Sequence, residues 1–384
     1  MATHRMLVFD VDGHVFEDND QMIAYYEGQH AIRKRNKSLP IFPSIDGWAR
    51  GVIHEREDDT PGRYSHTDAD IWAEMLEALG ADGSVLYPTA GLAYGLIQDI
   101  DFATATATAY NNWLEDRYTA KDARLHGAGL MPVENPDAAA KELRRCATKR
   151  ENFVAMMMPT VTVSPFKFGH RSFWPIYEEA ERTGMPLALH GGPSVGFGLD
   201  FQRPFAKVHT MSHPYPLFLQ LTDLIWEGVF DAFPGLRVVF LEAGCTWVPF
   251  MMDRLDSEYD SIFGTDARTR LKRRPSEYIR DTDNFWVSAE LGEKGLKYAI
   301  DAIGSTRIMY ASDFPHEPTQ DELTGAVPQF LADPEYDETA KANILSRNAL
   351  TFYGIGEERT GVAVGEALGP SRRTIQSIRV ADGA

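Results

Sequence analysis

The sequence predicts a (β/α)8 barrel, an α/β fold, and three observations support this fold class. First, eight short apolar runs recur along the chain, and most are continuously apolar, as expected for strands buried on both faces. Second, helix-like segments lie between these runs, which is typical of a parallel barrel. Third, no G-x-G-x-x-G motif follows any run, which argues against a doubly wound open sheet. The predicted strands are residues 6–11, 84–87, 125–131, 153–158, 186–190, 237–242, 284–289 and 307–311.

Helix signals fill the intervals between the predicted strands. Ile71, Met75 and Leu79 recur every four residues, and Gly80 follows them as a stop signal. Pro136 suits the first turn of a second helix. Two further segments end at glycine or at Pro-Gly. The predicted helices are residues 70–79, 136–149, 173–183 and 217–233.

Three segments of the chain are additional to the strands and helices of a minimal barrel. Residues 15–67 form a long polar insertion after the first strand, and residues 191–216 are rich in Gly and Pro after the fifth. Long loops after strands carry the substrate contacts of such barrels. We therefore predict one metal-dependent barrel over residues 1–355 and a C-terminal extension or arm over 356–384. We expect a homo-oligomer, with the extension either disordered or packed on a partner subunit.

The composition excludes several classes of protein. The chain has 384 residues, 43% of them hydrophobic, and a formal net charge of −18. Such an acidic chain is a poor nucleic-acid binder and is not attracted to an anionic membrane surface. Two distant cysteines, Cys146 and Cys245, argue against a disulfide scaffold. Neither a signal peptide nor a run of about 20 apolar residues is visible, and we expect a cytoplasmic protein.

Polar residues that can bind metal follow five of the predicted strands. The carboxyl ends of barrel strands meet at one face, where the chemistry of this fold takes place. A single aspartate there is more often a helix N-cap, so the coincidence across five strands carries the prediction of a metal site. The predicted ligands are Asp12, His14, His190, Glu242, Glu290 and Asp313, and the predicted catalytic residues are His213 and His316.

The number of candidate ligands bears on the number of metal ions. Imidazole and carboxylate ligands suit zinc, manganese or iron, and one ion needs about three or four protein ligands. Four carboxylates and four imidazoles exceed that need. Some of them orient ligands or act as bases, or two ions share the site. Crowded carboxylates repel each other unless cations neutralise them, which favours two ions.

The motifs resemble those of the amidohydrolase superfamily, in the branch related to aminocarboxymuconate semialdehyde decarboxylase. They comprise Asp12-Gly13-His14, His190, residues 233–237, Ser312-Asp313 and residues 348–354. The resemblance implies a (β/α)8 barrel with metal ligands at Asp12, His14, His190 and Asp313. It also implies a catalytic histidine at the end of the sixth strand, where this chain has Glu242 instead.

Three functions compete. Residues 241–244 and 313–316 resemble those of a nonheme diiron monooxygenase subgroup from platensimycin-type diterpenoid biosynthesis. We predict two Fe bridged by Glu242 or Asp12, with Glu290 and His213 completing the second ion's ligands, because the carboxylates exceed what one ion can use and Glu242 replaces the expected histidine. The reaction would be an O2-dependent hydroxylation of a bulky apolar acyl substrate, with an electron donor. The alternative is a hydrolase or nonoxidative decarboxylase with one Zn or Mn, and the third is a non-enzymatic binding protein.

A basic cluster at residues 268–274 suggests a phosphate-binding site. Arginine side chains match phosphate oxygens in geometry, so Arg270, Arg273 and Arg274 are candidate ligands of a coenzyme A ester. The competing interpretation is a solvated helix face.

Overall fold

Eight parallel strands form one sheet, in which each strand pairs with the next along the chain. The computed structural model describes residues 6–35, 40–45, 67–199, 202, 205–316 and 318–356. The predicted runs coincide with the observed strands, so the predicted barrel is confirmed. The strands are β1 (Phe9–Val15), β2 (Gly83–Pro88), β3 (Leu125–Leu130), β4 (Phe153–Pro159), β5 (Leu187–His190), β6 (Val238–Leu241), β7 (Phe285–Ala289) and β8 (Ile308–Tyr310).

The barrel closes between β1 and the residues that follow β8. The backbone N–H of Asp313 donates to the carbonyl of Asp12 (2.9 Å), and that of His14 donates to the carbonyl of Phe314 (2.7 Å). The buried Asp10 carboxylate accepts a further bond from the N–H of Ser312 (2.8 Å). This seam places two strand ends that are 300 residues apart in sequence side by side.

Helices cover the outside of the barrel. The α-helices are α1 (Asn19–Met22), α2 (Ala69–Leu79), α3 (Ile100–Leu114), α4 (Pro136–Ala147), α5 (Trp174–Thr183), α6 (Phe205–Ser212), α7 (Pro214–Trp226), α8 (Val229–Ala232), α9 (Val248–Asp260), α10 (Thr265–Arg270), α11 (Pro275–Arg280), α12 (Leu296–Ile303), α13 (Gln320–Ala332), α14 (Glu338–Ala342) and α15 (Asn348–Tyr353). Shorter 3-10 segments are Ile23–Tyr25, Gly28–Arg35, Ala90–Leu96, Arg171–Phe173, Ile262–Gly264 and Ser305–Arg307, and π-turns are Glu115–Thr119 and Asn343–Arg347.

Local signals set the helix ends. The Asp68 side chain caps α2 by accepting from the N–H of Ile71, and Gly80 ends the helix with a φ of 64°. The single helix predicted at residues 217–233 is wrong. Gly228 adopts a φ of 75° and separates α7 from α8, because glycine reaches the left-handed region without a steric penalty.

Helix α15 closes the end of the barrel opposite the strand ends that carry the ligands. Arg237, which directly precedes β6, donates to the carbonyl of Thr351 (3.0 Å). The Tyr353 hydroxyl lies 3.2 Å from that of Tyr87. Both tyrosines are buried, so their hydroxyls meet inside the barrel, and the Tyr87 ring lies 5.7 Å from that of His190.

The insertion and the extension are only partly described. The insertion at 15–67 includes α1 and two 3-10 segments, whereas residues 46–66 lie outside the described part. Of the predicted extension, residues 357–384 also lie outside it, and the domain boundaries and the homo-oligomer stay predictions. Within the described residues, no helix is both long and apolar enough to span a bilayer.

Candidate metal centre

Strand β1 supplies two side chains to the open end of the barrel. Asp12 and His14 are fully buried, and they are two residues apart, so they point to the same side of the strand. The Nδ1 of His14 lies 3.0 Å from the carbonyl of Pro88 and donates to it. That bond fixes the tautomer and leaves the Nε2 lone pair free to bind a metal.

Strand β5 ends in a histidine whose Nδ1 also contacts a backbone carbonyl. The Nδ1 of His190 donates to the carbonyl of Gly191 (2.8 Å), which directs Nε2 toward Asp12. This Nε2 lies 3.3 Å from Oδ1 of Asp12. The rings of His14 and His190 meet edge to face, with centroids 5.0 Å apart.

Glu242 and Asp313 have an unusual backbone conformation. They are the non-glycine residues with positive φ in the described chain, at 56° and 55°. This conformation is costly for a residue with a side chain and is typical of functional sites. In each case the chain turns directly after a strand. Oδ1 of Asp313 lies 3.7 Å from Nε2 of His14, and Oε2 of Glu242 lies 3.2 Å from Nε2 of His190.

His213 joins Glu242 from outside the strands. Its Nδ1 lies 3.2 Å from Oε2 of Glu242. A residue before proline favours an extended backbone, yet His213 has φ −92° and ψ −58° at the junction of α6 and α7. The packing of the two helices outweighs the local preference for extended structure before proline.

His316 contacts Asp313 and Thr89. Its Nδ1 donates to Oδ1 of Asp313 (2.8 Å), and its Nε2 lies 3.0 Å from Oγ1 of Thr89. The Glu17 carboxylate in turn accepts from three backbone N–H groups, including those of Thr89 and Gly91. His316 is therefore held in place and orients Asp313, rather than lining the cavity.

Sequence reasoning missed Asp10, Glu17 and Thr89. Asp10 lies two residues before Asp12 and accepts from the hydroxyl of Ser84 (2.6 Å) as well as from Ser312. Its place in the run Asp10-Val11-Asp12 was a usable signal. Glu17 and Thr89 carried none, because their importance depends on a contact between residues 72 positions apart.

The described side chains fit a divalent ion. Asp12 offers both carboxylate oxygens, His14 and His190 offer Nε2, and none of these buried atoms has a hydrogen-bond partner among the described residues. The separations from Asp12 Oδ1 to His14 Nε2 (3.6 Å) and to His190 Nε2 (3.3 Å) are close to the ~3.4 Å between two ligands of one tetrahedral ion. Nδ1 of His213 and Oε2 of Glu242 are likewise buried without such a partner.

Burial and neighbouring charges shift the pKa values of the ionisable side chains in the site. Burial raises the pKa of Asp12 despite the neighbouring His190. Burial and the neighbouring His316 and His190 keep the pKa of His14 well below its usual value, so His14 is neutral and able to bind a metal. Burial alone would lower the pKa of His190, but the carboxylates of Asp12 and Glu242 outweigh it and raise this pKa to about 9.

Four other predicted site residues lie elsewhere. Glu290 is exposed at the cavity wall and belongs to none of the three ligand groups. Arg270 pairs with Asp266, and Arg274 pairs with Asp260. These arginines and Arg273 precede β7, so they lie at the end of the barrel opposite the metal centre. The predicted acyl-substrate dock at Arg270, Arg273 and Arg274 is therefore wrong.

A cavity of about 1190 Å³ opens onto the centre. His213, Glu242 and Asp313 line its inner part, and the loop after β7 and helix α13 line its outer part. Residues 10–355 match the protein family described as Amidohydrolase. The chain belongs to this amidohydrolase family. The four metal positions expected from the resemblance, Asp12, His14, His190 and Asp313, lie together at the open end of the barrel.

Several relatives of this amidohydrolase are decarboxylases. The 2-amino-3-carboxymuconate-6-semialdehyde decarboxylase of Dictyostelium discoideum is 26% identical over 298 residues, covering 75% of this chain and 77% of that protein. The gamma-resorcylate decarboxylase of Rhodococcus jostii is 28% identical over 236 residues, covering 58% of this chain and 69% of that protein. A 5-carboxyvanillate decarboxylase structure from Novosphingobium aromaticivorans, with bound manganese, superposes with a TM-score of 0.71 and 19% identity over 92% of this chain and 99% of that one.

These comparisons overturn the predicted oxygenase. The relatives are decarboxylases, not O2-dependent hydroxylases, so the predicted monooxygenase, its acyl or coenzyme A substrate and its electron donor are wrong. The prediction of two Fe finds no support either, because the solved neighbour carries manganese. The error arose from counting carboxylates, since Glu290 does not join the ligand groups.

Proposed function

We propose that this amidohydrolase is a metal-dependent, nonoxidative decarboxylase of a small aromatic carboxylic acid. One Mn²⁺ or Zn²⁺ would be held by Asp12, His14, His190 and Asp313. The observation that carries the proposal is the set of buried ligand atoms on Asp12, His14 and His190 without hydrogen-bond partners, at separations suited to one ion. The decarboxylase relatives supply the reaction class.

The reaction needs a binding group and a proton. Loss of CO2 breaks the bond between the ring carbon and the carboxyl carbon, and the electron pair stays on the ring carbon until a proton arrives. A bound divalent ion supplies positive charge that stabilises the anionic substrate oxygens. His213 and Glu242 face the same cavity, with Nδ1 and Oε2 3.2 Å apart, so we assign the delivery of this proton to the pair.

His213 can take the place of the histidine that is missing from the end of the sixth strand. The family resemblance implies a histidine at the end of the sixth strand, and this chain has Glu242 there. The imidazole of His213 reaches that position from the start of α7 and pairs with Glu242. An imidazole is thus available beside the metal ligands although the sixth strand does not provide it.

The test is turnover by the manganese-loaded full-length chain in D2O without oxygen. Hydroxybenzoic acids, including 2,6-dihydroxybenzoate, are incubated and analysed by mass spectrometry. We expect CO2 release and one deuterium at the vacated ring carbon, at the same rate with and without O2. The matched control is Asp12→Asn, which should be inactive. Absence of CO2 release from every acid at full metal occupancy would refute the proposal.

A further inference from the structure

The Glu293 carboxylate joins the loops that follow β6 and β7. Its Oε2 accepts from the backbone N–H of Cys245 (2.9 Å), and its Oε1 accepts from the N–H of Glu290 (3.1 Å). The N–H of Thr246 donates to the same carboxylate. Strands β6 and β7 are neighbours in the barrel, so three backbone donors from the ends of two adjacent strands converge on one side chain.

Two glycines permit the close approach of these loops. A Cβ atom added to Gly244 would lie 2.6 Å from Oε2 and 2.8 Å from Oε1 of Glu293, which is closer than side-chain atoms pack. Gly244 also has a φ of 62°, which glycine adopts without a steric penalty. On the other loop, a Cβ atom added to Gly295 would collide with the side chain of Thr246. The carboxylate reaches the neighbouring backbone because glycine stands at both positions.

The turn that Glu293 holds is the turn that carries Glu242. Glu242 has a φ of 56°, and a residue with a side chain keeps such a conformation only where its surroundings enforce it. On one side of the turn, the N–H of Glu242 donates to the hydroxyl of Ser288 (3.1 Å). On the other side, Glu293 binds the N–H of Cys245. Contacts from β7 and its loop thus fix the backbone from which Oε2 of Glu242 reaches Nδ1 of His213, 3.2 Å away.

We propose that Glu293 is a positioning residue for proton delivery, which acts through the turn at Glu242 and not on the substrate. This inference rests on the proposed function, in which Glu242 and His213 deliver the proton that replaces CO2 on the ring carbon. Without the Glu293 carboxylate, the turn relaxes toward negative φ, and Oε2 of Glu242 moves away from Nδ1 of His213. The electron pair on the ring carbon then waits longer for its proton. The metal stays bound, because its four ligands belong to β1, β5 and the residues after β8.

The experiment compares Glu293→Gln with the wild type as manganese-loaded full-length chains, on a hydroxybenzoic acid that the wild type decarboxylates. Glutamine keeps the size of the side chain but replaces one acceptor oxygen with an NH2 group, which cannot accept from a backbone N–H. We expect kcat to fall at least about 10-fold, a part of the roughly 10²–10⁴-fold that a positioned acid or base contributes, with KM and metal content unchanged. The ratio of kcat in H2O to kcat in D2O should rise, because proton transfer then limits turnover, whereas a mere loss of folded enzyme leaves that ratio unchanged. In a crystal structure of the variant, Oε2 of Glu242 should lie beyond hydrogen-bond distance from Nδ1 of His213.

Two further variants locate the effect. Gly244→Ala places a methyl group where the carboxylate lies, so it should lower kcat in the same way and decides the question if Glu293→Gln does not fold. Glu290→Gln is the matched control and should keep the wild-type kcat, because it removes a charge from the same loop and cavity wall but retains the N–H that Glu293 binds. Wild-type kcat in a folded variant at Glu293 or Gly244, a loss confined to KM, or a lower kcat with an unchanged solvent isotope ratio would overturn this inference alone. If the wild-type chain itself releases no CO2, it is the proposed function that fails.

Discussion

The two halves of the barrel mouth differ in what they contribute. Strands β1, β5, β6 and β8 and the residues directly after them carry the acids and imidazoles that can bind metal. Strands β2 and β4 end in Pro88 and Pro159 and carry none of the candidate ligands. They supply fixed acceptors and hydroxyls instead, since the Pro88 carbonyl orients His14 and the Thr89 hydroxyl contacts His316. One group of strands thus provides the ligands, and the other provides contacts that help to orient His14 and His316.

This contrast between the strands shows that different residues determine which side chains can bind the metal and how those side chains are oriented. The ligands are charged or ionisable side chains, and their types alone suggest a metal. The orienting groups include backbone carbonyls, which any residue can provide. Removal of a ligand should therefore have a larger effect than removal of an orienting group.

The largest effect is expected from Asp12→Asn. Losing the charge of a carboxylate that faces His14 and His190 should weaken Mn²⁺ binding by more than about 100-fold, beyond the range typical of groups that only orient a ligand. Metal content after dialysis measures this. The control is Asp122→Asn, next to Arg124 at the start of β3, which should keep its metal. Full metal content in Asp12→Asn would contradict the division between the halves.

Asp10→Asn should have the next largest effect. The Asp10 carboxylate accepts from Ser84, from the N–H and hydroxyl of Ser312, and from the N–H of Asp12. An amide cannot accept on its nitrogen, so at least one buried donor is left without a partner, at a cost of about 1–3 kcal/mol. We expect lower stability in urea and about 10-fold weaker metal binding, because the seam positions Asp12 and Asp313. Ser84→Ala, which removes one of these bonds, should be milder; wild-type metal affinity in Asp10→Asn would show that the seam is independent of the site.

Thr89→Val tests the orienting half with a substitution of nearly equal shape. It removes the hydroxyl 3.0 Å from Nε2 of His316 and so loosens the ring that holds Asp313. We expect activity to fall by about 10-fold, at the low end for an orienting group, with metal content retained. Thr160→Val is the matched comparison, since the Thr160 hydroxyl donates to the carbonyl of His190 and not to its ring. Equal losses in both variants would mean that His316 has no special role.

The smallest effect is expected outside the mouth, from Glu179→Gln on α5. Burial opposes ionisation of Glu179, but bonds from Arg144 and Arg182 outweigh it and lower its pKa. A lowered pKa in the folded state adds stability above the ordinary glutamate pKa, and this stability is lost as the pH falls through the lowered value. We expect Tm to drop by about 1–2 °C at pH 7 and the difference to shrink steadily as the pH falls below the ordinary glutamate pKa, by calorimetry, with metal content unchanged. A difference that does not change with falling pH would contradict this assignment.

Local patterns determined much of this protein. Continuous apolar runs bury both faces of a strand, so all eight strands could be predicted. The strand-end positions of Asp12, His14, His190, Glu242 and Asp313 followed from the same pattern, because residues at the carboxyl ends of parallel strands must meet at one face. The break at Gly228 and the conformation of His213 could not be predicted, since packing between helices decides them.

Tertiary structure alone decided which of these residues act together. Eight candidate ligands in the sequence suggested two ions, but the fold leaves Glu290 at the cavity wall, outside the three ligand groups, and it pairs His316 with Asp313 within one of those groups. It also places Arg270 and Arg274 at the opposite end of the barrel, in pairs with aspartates. The physical reason is that residue type and strand position are local properties, whereas a metal site depends on distances of 3–4 Å between atoms brought together only by closure of the barrel.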